Sequence, residues 1–122
     1  MLSCLDAENR YLTTPSSVDF YPMQGSIEDH ASNLPLAVTK CRQMVDNLRY
    51  LVGMEALFAS QAVDLRKSDD NGDYVHLGKG TQQAYDVLRA VVPEMKSNRS
   101  VYDDINKAYQ LVLEEKFLAD GE

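Results

Sequence analysis

Three ionisable residues, Glu28, Asp29 and His30, stand together just before the longest helical pattern of the chain. The free backbone amides at the start of a helix can tune the pKa of a nearby carboxylate, which can then bind the positive charge of an amine. The same acids can instead do no more than stabilise the helix dipole and its unpaired amides. The residue types alone leave both interpretations of Glu28 open.

Other patterns that could hold an ion are incomplete. The acidic stretch at residues 69–73 differs from a calcium loop because its glycine comes too early, and Gly80 stands where the loop requires a bidentate glutamate. The glycine-rich residues 78–81 follow no strand, so they indicate a helix entry rather than a phosphate loop. The 2 histidines occur without a CxxC or HExxH pattern, and no metal site is predicted.

The composition is that of a single globular domain. Hydrophobic residues make up 44% of the 122 residues and charged residues 25%, which is too apolar for a disordered chain. The 12 basic and 19 acidic side chains give a net charge of −7, and no basic cluster occurs. We therefore predict no nucleic-acid partner.

The cysteines and the apolar stretches indicate a protein without disulfides or membrane spans. Cys4 and Cys41 are the 2 cysteines, and Cys41 falls in a helical pattern where a reduced thiol usually packs inside. Glu55, Gln61 and Asp64 interrupt the longest apolar stretches, and no secretory signal is recognisable at the N-terminus. A soluble, cytoplasmic location is expected.

The spacing of apolar residues predicts an irregular arm followed by a long helix. Residues 1–33 contain prolines and runs of serine and threonine without sustained periodicity, which predicts an extended, loop-rich arm. A helix is then predicted over residues 34–67, with Ser32 or Asn33 as its N-cap. Its apolar stripe has alternating spacings of four and three residues: Leu34, Val38, Cys41, Val45, Leu48 and Val52.

Two shorter helices are predicted after the long one. The first has Thr81 as its cap and ends before Pro93, and the second opens at Ser100 with Asp103 in a capping-box-like arrangement. No strand pattern is present. The predicted fold is all-α, with residues 34–122 forming the helical C-terminal region of a single domain.

The length of the long helix predicts an assembly. A helix over residues 34–67 is about 50 Å long, whereas a compact chain of this size is roughly 35 Å across. The sequence from Leu51 to Ala59 is apolar on almost every side, so we expect it to be buried all round. Other chains, or another part of the same protein, must then cover it.

Several sequence landmarks, in order, resemble the C-terminal region of the histidine, phenylalanine and tyrosine ammonia-lyase family. TTPSSVDFYP at residues 13–22 and SIEDHAS at 26–32 are similar to the approach to the active site, the second in its histidine-lyase form. MEALFASQAVDLR at 54–66 and GKGTQQAYDVLRAVVP at 78–93 are similar to the family's helices, and the Tyr102 to Ile105 segment follows them. The resemblance covers nearly the whole chain.

The resemblance implies an enzyme fragment of a helical bundle. In the family, an Ala-Ser-Gly tripeptide forms the methylidene-imidazolone cofactor, and a tyrosine base removes the β proton before ammonia leaves. This chain has no Ala-Ser-Gly, so both groups are expected in a missing N-terminal part. Glu28 matches the acid that histidine-type members place in the substrate pocket, and this match favours a histidine-like aromatic amino acid as substrate.

The resemblance also implies a homotetramer with a central bundle of long helices, or a complex with a complementing N-terminal half. The chain is then a carbon–nitrogen lyase piece that is inactive alone. The alternative is a non-catalytic helical interaction module derived from the same family. Met1 is compatible with a cloned fragment, a split subunit or a degenerate remnant.

Overall fold

The computed structural model describes residues 1–18, 32–69 and 75–117, and these residues form four α-helices and one short 3-10 turn. The helices are α1 (Leu2–Leu12), α2 (Leu34–Asp69), α3 (Lys79–Arg89) and α4 (Tyr102–Leu113). The described ranges contain no strand, and the all-α prediction is confirmed. No helix in these ranges is long and apolar enough to cross a membrane.

The chain divides into two compact units, Met1–Leu48 and Arg49–Glu122, and α2 contributes to both. The boundary predicted after residue 33 marks the start of helical periodicity in the sequence. The boundary after Leu48 separates two groups of residues that contact one another in space. Each unit has its own kind of packing.

In the first unit, the prediction of an extended arm is wrong for residues 2–12, which form α1. The helix escaped prediction because it buries no residue and is held largely by polar groups. The amide Nδ2 of Asn47, on α2, donates to Glu8 Oε2 and to Asn9 Oδ1, each at 3.0 Å. Asn47 is only 3% exposed, so a polar contact takes the place of the apolar stripe that sequence reasoning looks for.

The start and end of α2 agree with the sequence prediction. The carbonyl of Asn33 accepts the N–H of Ala37 at 3.1 Å, which is the first helical bond. The side chain of Asn33 donates to the carbonyl of Ser16 at 3.0 Å. The helix has 36 residues and carries Arg66 and Lys67 in its last turn, where positive charge suits the helix dipole.

The predicted inner stripe of α2 is not buried within this chain. Leu34 is 62% exposed and Val38 is 52% exposed, and Cys41 is exposed rather than packed inside. Over Leu51–Ala59 only one side is covered, because Met54 is 3% exposed but Phe58 is 64% exposed. The described chain offers too little apolar surface to cover both faces of so long a helix. All-round burial in an assembly stays a prediction.

The apolar core lies in the second unit, where α3 and α4 pack against the C-terminal half of α2. Its buried centre is Leu88, Val92 and Ala108, and half-buried Ala56, Leu57, Leu111 and Phe117 pack around it. Leu88 and Ala108 are completely buried. Loss of water from these side chains is the main stabilising term of the unit.

The starts of α3 and α4 differ from the predicted caps. Gly78 occupies the N-cap position of α3, and the hydroxyl of Thr81 donates back to its carbonyl at 2.9 Å. At α4 the N-cap position is Val101, although the hydroxyl oxygen of Ser100 accepts the N–H of Tyr102 at 3.4 Å. Thr81 therefore lies in the first turn of α3 and Ser100 just before the N-cap of α4, so neither occupies a cap position.

A glycine allows α2 and α4 to approach closely. A Cβ atom at Gly53 would lie 3.1 Å from backbone atoms of both Ala108 and Tyr109. One turn away, the rings of Tyr50 and Tyr109 stack with their centroids 4.2 Å apart. A larger residue at position 53 would require the facing backbone of α4 to move by a few tenths of an ångström.

We predict that Gly53→Leu destabilises the second unit by about 1–3 kcal/mol, because the added side chain meets backbone that cannot move independently. Gly80→Ala is the matched control, since a Cβ atom there meets nothing within 4 Å. It should be neutral or stabilising by at most ~1 kcal/mol. Urea unfolding of both variants measures the difference, and equal free energies of unfolding would contradict the close approach.

Candidate functional site

The residues that the sequence singled out for chemistry fall largely outside the described ranges. Glu28, Asp29 and His30 lie outside them, so the proposed role of Glu28 stays a prediction. Most of the calcium-loop-like stretch at 69–73 also lies outside them, and His76 is exposed. The part of the chain that the structure describes holds no group of three or more histidine, cysteine or acidic residues placed to bind a metal.

The described second unit holds two buried carboxylates, Asp64 and Asp104, and Asp64 lies between α2 and α3. It belongs to the face of α2 that also carries Met54, Leu57 and Gln61, at helical spacings of three and four. Its side chain is only 8% exposed. A buried carboxylate is costly unless it is paired and hydrogen-bonded, so the partners of Asp64 decide whether it is tolerated.

Two residues of α3 supply those partners. Tyr85 and Arg89 are four residues apart and so lie on one face of the helix. The hydroxyl of Tyr85 donates a hydrogen bond to Asp64 Oδ1, and Arg89 Nη2 is 2.5 Å from Asp64 Oδ2. Lys67 adds its Nζ atom 4.3 Å from the centroid of the Tyr85 ring, a cation–π contact at the edge of the group.

The Asp64–Arg89 contact is an ion pair rather than a well-aligned hydrogen bond. Asp64 Oδ2 and Arg89 Nη2 are close, yet the N–H does not point at the oxygen. Arg89 Nη1 donates instead to the carbonyl of Val92 at 3.2 Å, and its buried Nε has no hydrogen-bond partner among the described residues. The pair is therefore stabilised mainly by attraction between two charges that are largely shielded from water.

This arrangement can tie helices together but is not suited to reaction chemistry. Both oxygens of Asp64 face partners from its own chain, since Oδ1 accepts the Tyr85 hydroxyl and Oδ2 lies against the guanidinium of Arg89. The Tyr85 hydroxyl is likewise engaged as a donor. Asp64, Tyr85 and Arg89 are therefore structural residues that fix α3 against α2.

The loop between α3 and α4 is held by side chains of α2 and α4 and by its own Arg99. Gln61 of α2 binds the backbone of Met95 twice, accepting its N–H at 2.9 Å and donating to its carbonyl at 3.3 Å. Arg99 pairs with the buried carboxylate of Asp104 at 2.5 Å and donates to the carbonyl of Pro93 at 3.1 Å. This loop is thus bound to the helices on either side of it.

A cavity of about 200 Å³ lies between α2, this loop and α4. Its walls are mainly aliphatic and aromatic, and they include Met54, Leu57, Phe58, Val92 and Ile105. The charged groups at its edge, such as Asp104, are already paired within the chain. The cavity suits an apolar group rather than the zwitterion of an amino acid.

Sequence reasoning missed Asp64, Tyr85 and Arg89 as a unit. The available signal was the position of Asp64 on an otherwise inward-facing stripe, together with an aromatic and a cationic residue four apart on the next helix. Both halves lie inside stretches that carry the family resemblance, QAVDLR and AYDVLR. The spacing of residues along the chain does not show which faces of α2 and α3 pack together, so this contact could not be predicted from the sequence.

Comparison with known proteins identifies the family. The family model described as aromatic amino acid lyase matches residues 2–90 of this chain. Histidine ammonia-lyase 1 of Fusobacterium nucleatum is 34% identical over 118 residues, covering 97% of this chain and 22% of that enzyme. Histidine ammonia-lyase of Streptococcus sanguinis is 37% identical over 117 residues, covering 94% and 22%. The chain belongs to the aromatic amino acid lyase family.

A solved structure is more similar still in sequence. It is the ergothioneine degrading enzyme ergothionase of Treponema denticola, in complex with desmethyl-ergothioneine sulfonic acid. This chain is 47% identical to it, with a TM-score of 0.83, over 95% of this chain and 22% of that one. The chain thus spans about a fifth of the length of the relatives it matches.

We predict that Asp64→Ala lowers the free energy of unfolding by about 3–5 kcal/mol, because it leaves the cation of Arg89 buried without its partner. Glu94→Ala is the control, since the Glu94–Lys96 pair is 3.6 Å apart and Lys96 is 81% exposed. It should cost less than about 1 kcal/mol.

The double variant Asp64→Ala/Arg89→Met should recover part of the loss, because it removes both charges. Urea unfolding of the three variants supplies all the values. A loss for Asp64→Ala as small as that for Glu94→Ala would show that the buried pair does not fix α3 against α2.

Proposed function

We propose that the complete protein is a carbon–nitrogen lyase that eliminates the amino group from histidine or a histidine derivative, and that this chain is its C-terminal part. The observation that carries the proposal is the match to histidine ammonia-lyases over 97% of the chain. In such an elimination the β carbon loses a proton, the bond from the α carbon to nitrogen breaks, and a double bond forms between the two carbons. The cytoplasmic location expected from the sequence is retained in this proposal.

The cofactor chemistry must come from outside this chain. The sequence contains no Ala-Ser-Gly, so the methylidene-imidazolone implied by the family cannot form from these residues. In the described residues, the carboxylates of Asp64 and Asp104 are already paired with arginines, and the cavity is lined mainly by apolar side chains. Neither feature is suited to binding the charged groups of an amino acid. The proposed contributions of the chain are Glu28 in the substrate pocket, core helices and an assembly surface in a homotetramer-like oligomer.

Ergothioneine is the substrate we favour over histidine. The identity to the ergothioneine degrading enzyme is 47%, against 34% and 37% for the two histidine ammonia-lyases above, over similar lengths. Ergothioneine is a histidine betaine with three methyl groups on its α nitrogen and sulfur on its imidazole ring. The same elimination would then release trimethylamine in place of ammonia.

The test compares the full-length protein with this chain alone, each supplied with ergothioneine or with histidine. We expect the full-length protein to form a conjugated acrylate, seen by ultraviolet absorbance, together with trimethylamine from ergothioneine. This chain alone should show neither product. Release of ammonia from histidine with ergothioneine untouched would overturn the substrate preference, and no product from either compound would favour the alternative of a non-catalytic module.

We predict that Glu28→Gln in the full-length protein lowers kcat/KM by about 10- to 100-fold while leaving the oligomer intact. The reason is the loss of a negative charge facing the cationic nitrogen, which in ergothioneine has no N–H to donate. Asp29→Asn is the control, because it removes the acidic charge next to Glu28 in the sequence. If Glu28 merely stabilises the helix dipole, both variants should lower the thermal stability alike and leave kcat/KM unchanged.

A further inference from the structure

Three polar side chains at the start and along the first half of α2 bind the N-terminal residues of the chain. They are Asn33, Lys40 and Asn47, and we call them the polar row of α2. Successive members are seven residues apart, which is close to two full helical turns, so the row follows one side of the helix. All three lie within the first compact unit, Met1–Leu48.

The partners of the polar row follow one another in the reverse order along the chain. Asn47 Nδ2 donates to the side chains of Glu8 and Asn9, and Lys40 Nζ donates to the carbonyl of Thr14. The N-terminal residues therefore run antiparallel to α2 and are hydrogen-bonded to it at both of these points.

The third hydrogen bond of the polar row is made by Asn33, and it closes a loop. Asn33 Nδ2 donates to the carbonyl of Ser16, 17 residues earlier, at 3.0 Å, and both residues are half-buried. Residues 19–31 lie outside the described ranges, but Ser16 and Asn33 on either side of them are described. A segment whose two ends are held together has fewer conformations open to it than a segment held at one end.

The backbone of Asn33 limits which residues can make this hydrogen bond. Its φ angle is 51°, in the left-handed region that residues other than glycine rarely adopt. Asparagine is among the few side chains that tolerate this backbone, and its amide can also donate to a carbonyl. Aspartate tolerates the backbone but has no N–H when it is ionised, and glycine has no side chain. Asparagine meets both requirements at position 33.

We propose that Asn33 is a positioning residue for Glu28. Glu28 lies between Ser16 and Asn33 in the sequence, in the segment whose two ends the Asn33 side chain holds together. This hydrogen bond limits the paths open to the segment and therefore limits where Glu28 stands in the substrate pocket. The proposal rests on the proposed function, because it takes Glu28 as the acid that faces the substrate.

Kinetics of the full-length protein test the positioning role. Asn33→Gly keeps a residue that suits the left-handed backbone but removes the amide, and it should lower kcat/KM by about tenfold. Asn33→Asp should lower kcat/KM by a similar factor, because it also lacks the donor. If Asn33 served only as the N-cap of α2, Asn33→Asp would leave kcat/KM unchanged, since aspartate caps a helix equally well. Asn98→Gly is the control, because Asn98 is exposed in the loop between α3 and α4.

A double-mutant cycle shows whether Asn33 acts through Glu28. In a Glu28→Gln background the charge to be positioned is absent, so Asn33→Gly should change kcat/KM by less than about twofold. The same tenfold loss in both backgrounds overturns the proposal, because it would show an effect independent of Glu28. Unchanged kcat/KM for Asn33→Gly in the Glu28 protein overturns it as well.

Proton exchange tests the Asn33 hydrogen bond in this chain without any lyase activity. NMR measures how fast the side-chain amide protons of Asn33 and of the exposed Asn98 exchange with water. Those of Asn33 should exchange at least about fivefold more slowly, because one of them is donated to Ser16. Equal rates overturn the proposal even when the full-length protein is an active lyase. Slow exchange at Asn33 with an inactive full-length protein overturns the proposed function instead, so the two failures are distinguished.

Discussion

The buried carboxylate of Asp64 fixes the geometry of the second unit. Its negative charge could not remain in a nearly water-free position without the hydroxyl of Tyr85 and the guanidinium of Arg89, and both groups come from α3. The pairing sets the rotation of α3 about its own axis. Since Leu88 is next to Arg89 in sequence, the same rotation directs it into the core, where it is completely buried.

The two units differ in how far they cover the apolar side chains of α2. In the second unit, α2 meets α3, α4 and the loop between them, so Met54 and Val92 are covered within the chain. In the first unit, α1 contributes polar contacts through Glu8 and Asn9, and the apolar residues of α2 are left exposed. One helix therefore combines a segment with a local core and a segment whose apolar surface needs a partner.

The sequence was sufficient for some features and insufficient for others. The start of α2 could be predicted from the apolar periodicity and Asn33, because both signals are local. α1 could not be predicted, since its anchor is the amide of Asn47, which lies 39 residues from Glu8 and 38 residues from Asn9. The stripe of α2 was read correctly as one face, but periodicity does not state what covers that face.

At the candidate site too, the motifs could be recognised from the sequence, whereas the contacts between them could not. Ordered landmarks around QAVDLR and AYDVLR were enough to identify the family, which the comparisons confirm. The contacts of Asp64, Tyr85 and Arg89 explain why these landmarks go together, because each supplies half of a buried ion pair. These contacts hold two helices of the chain together and do not involve a substrate. The landmarks that identify the family therefore do not select a substrate, and the proposed choice of ergothioneine depends on the higher overall identity to the enzyme that degrades it.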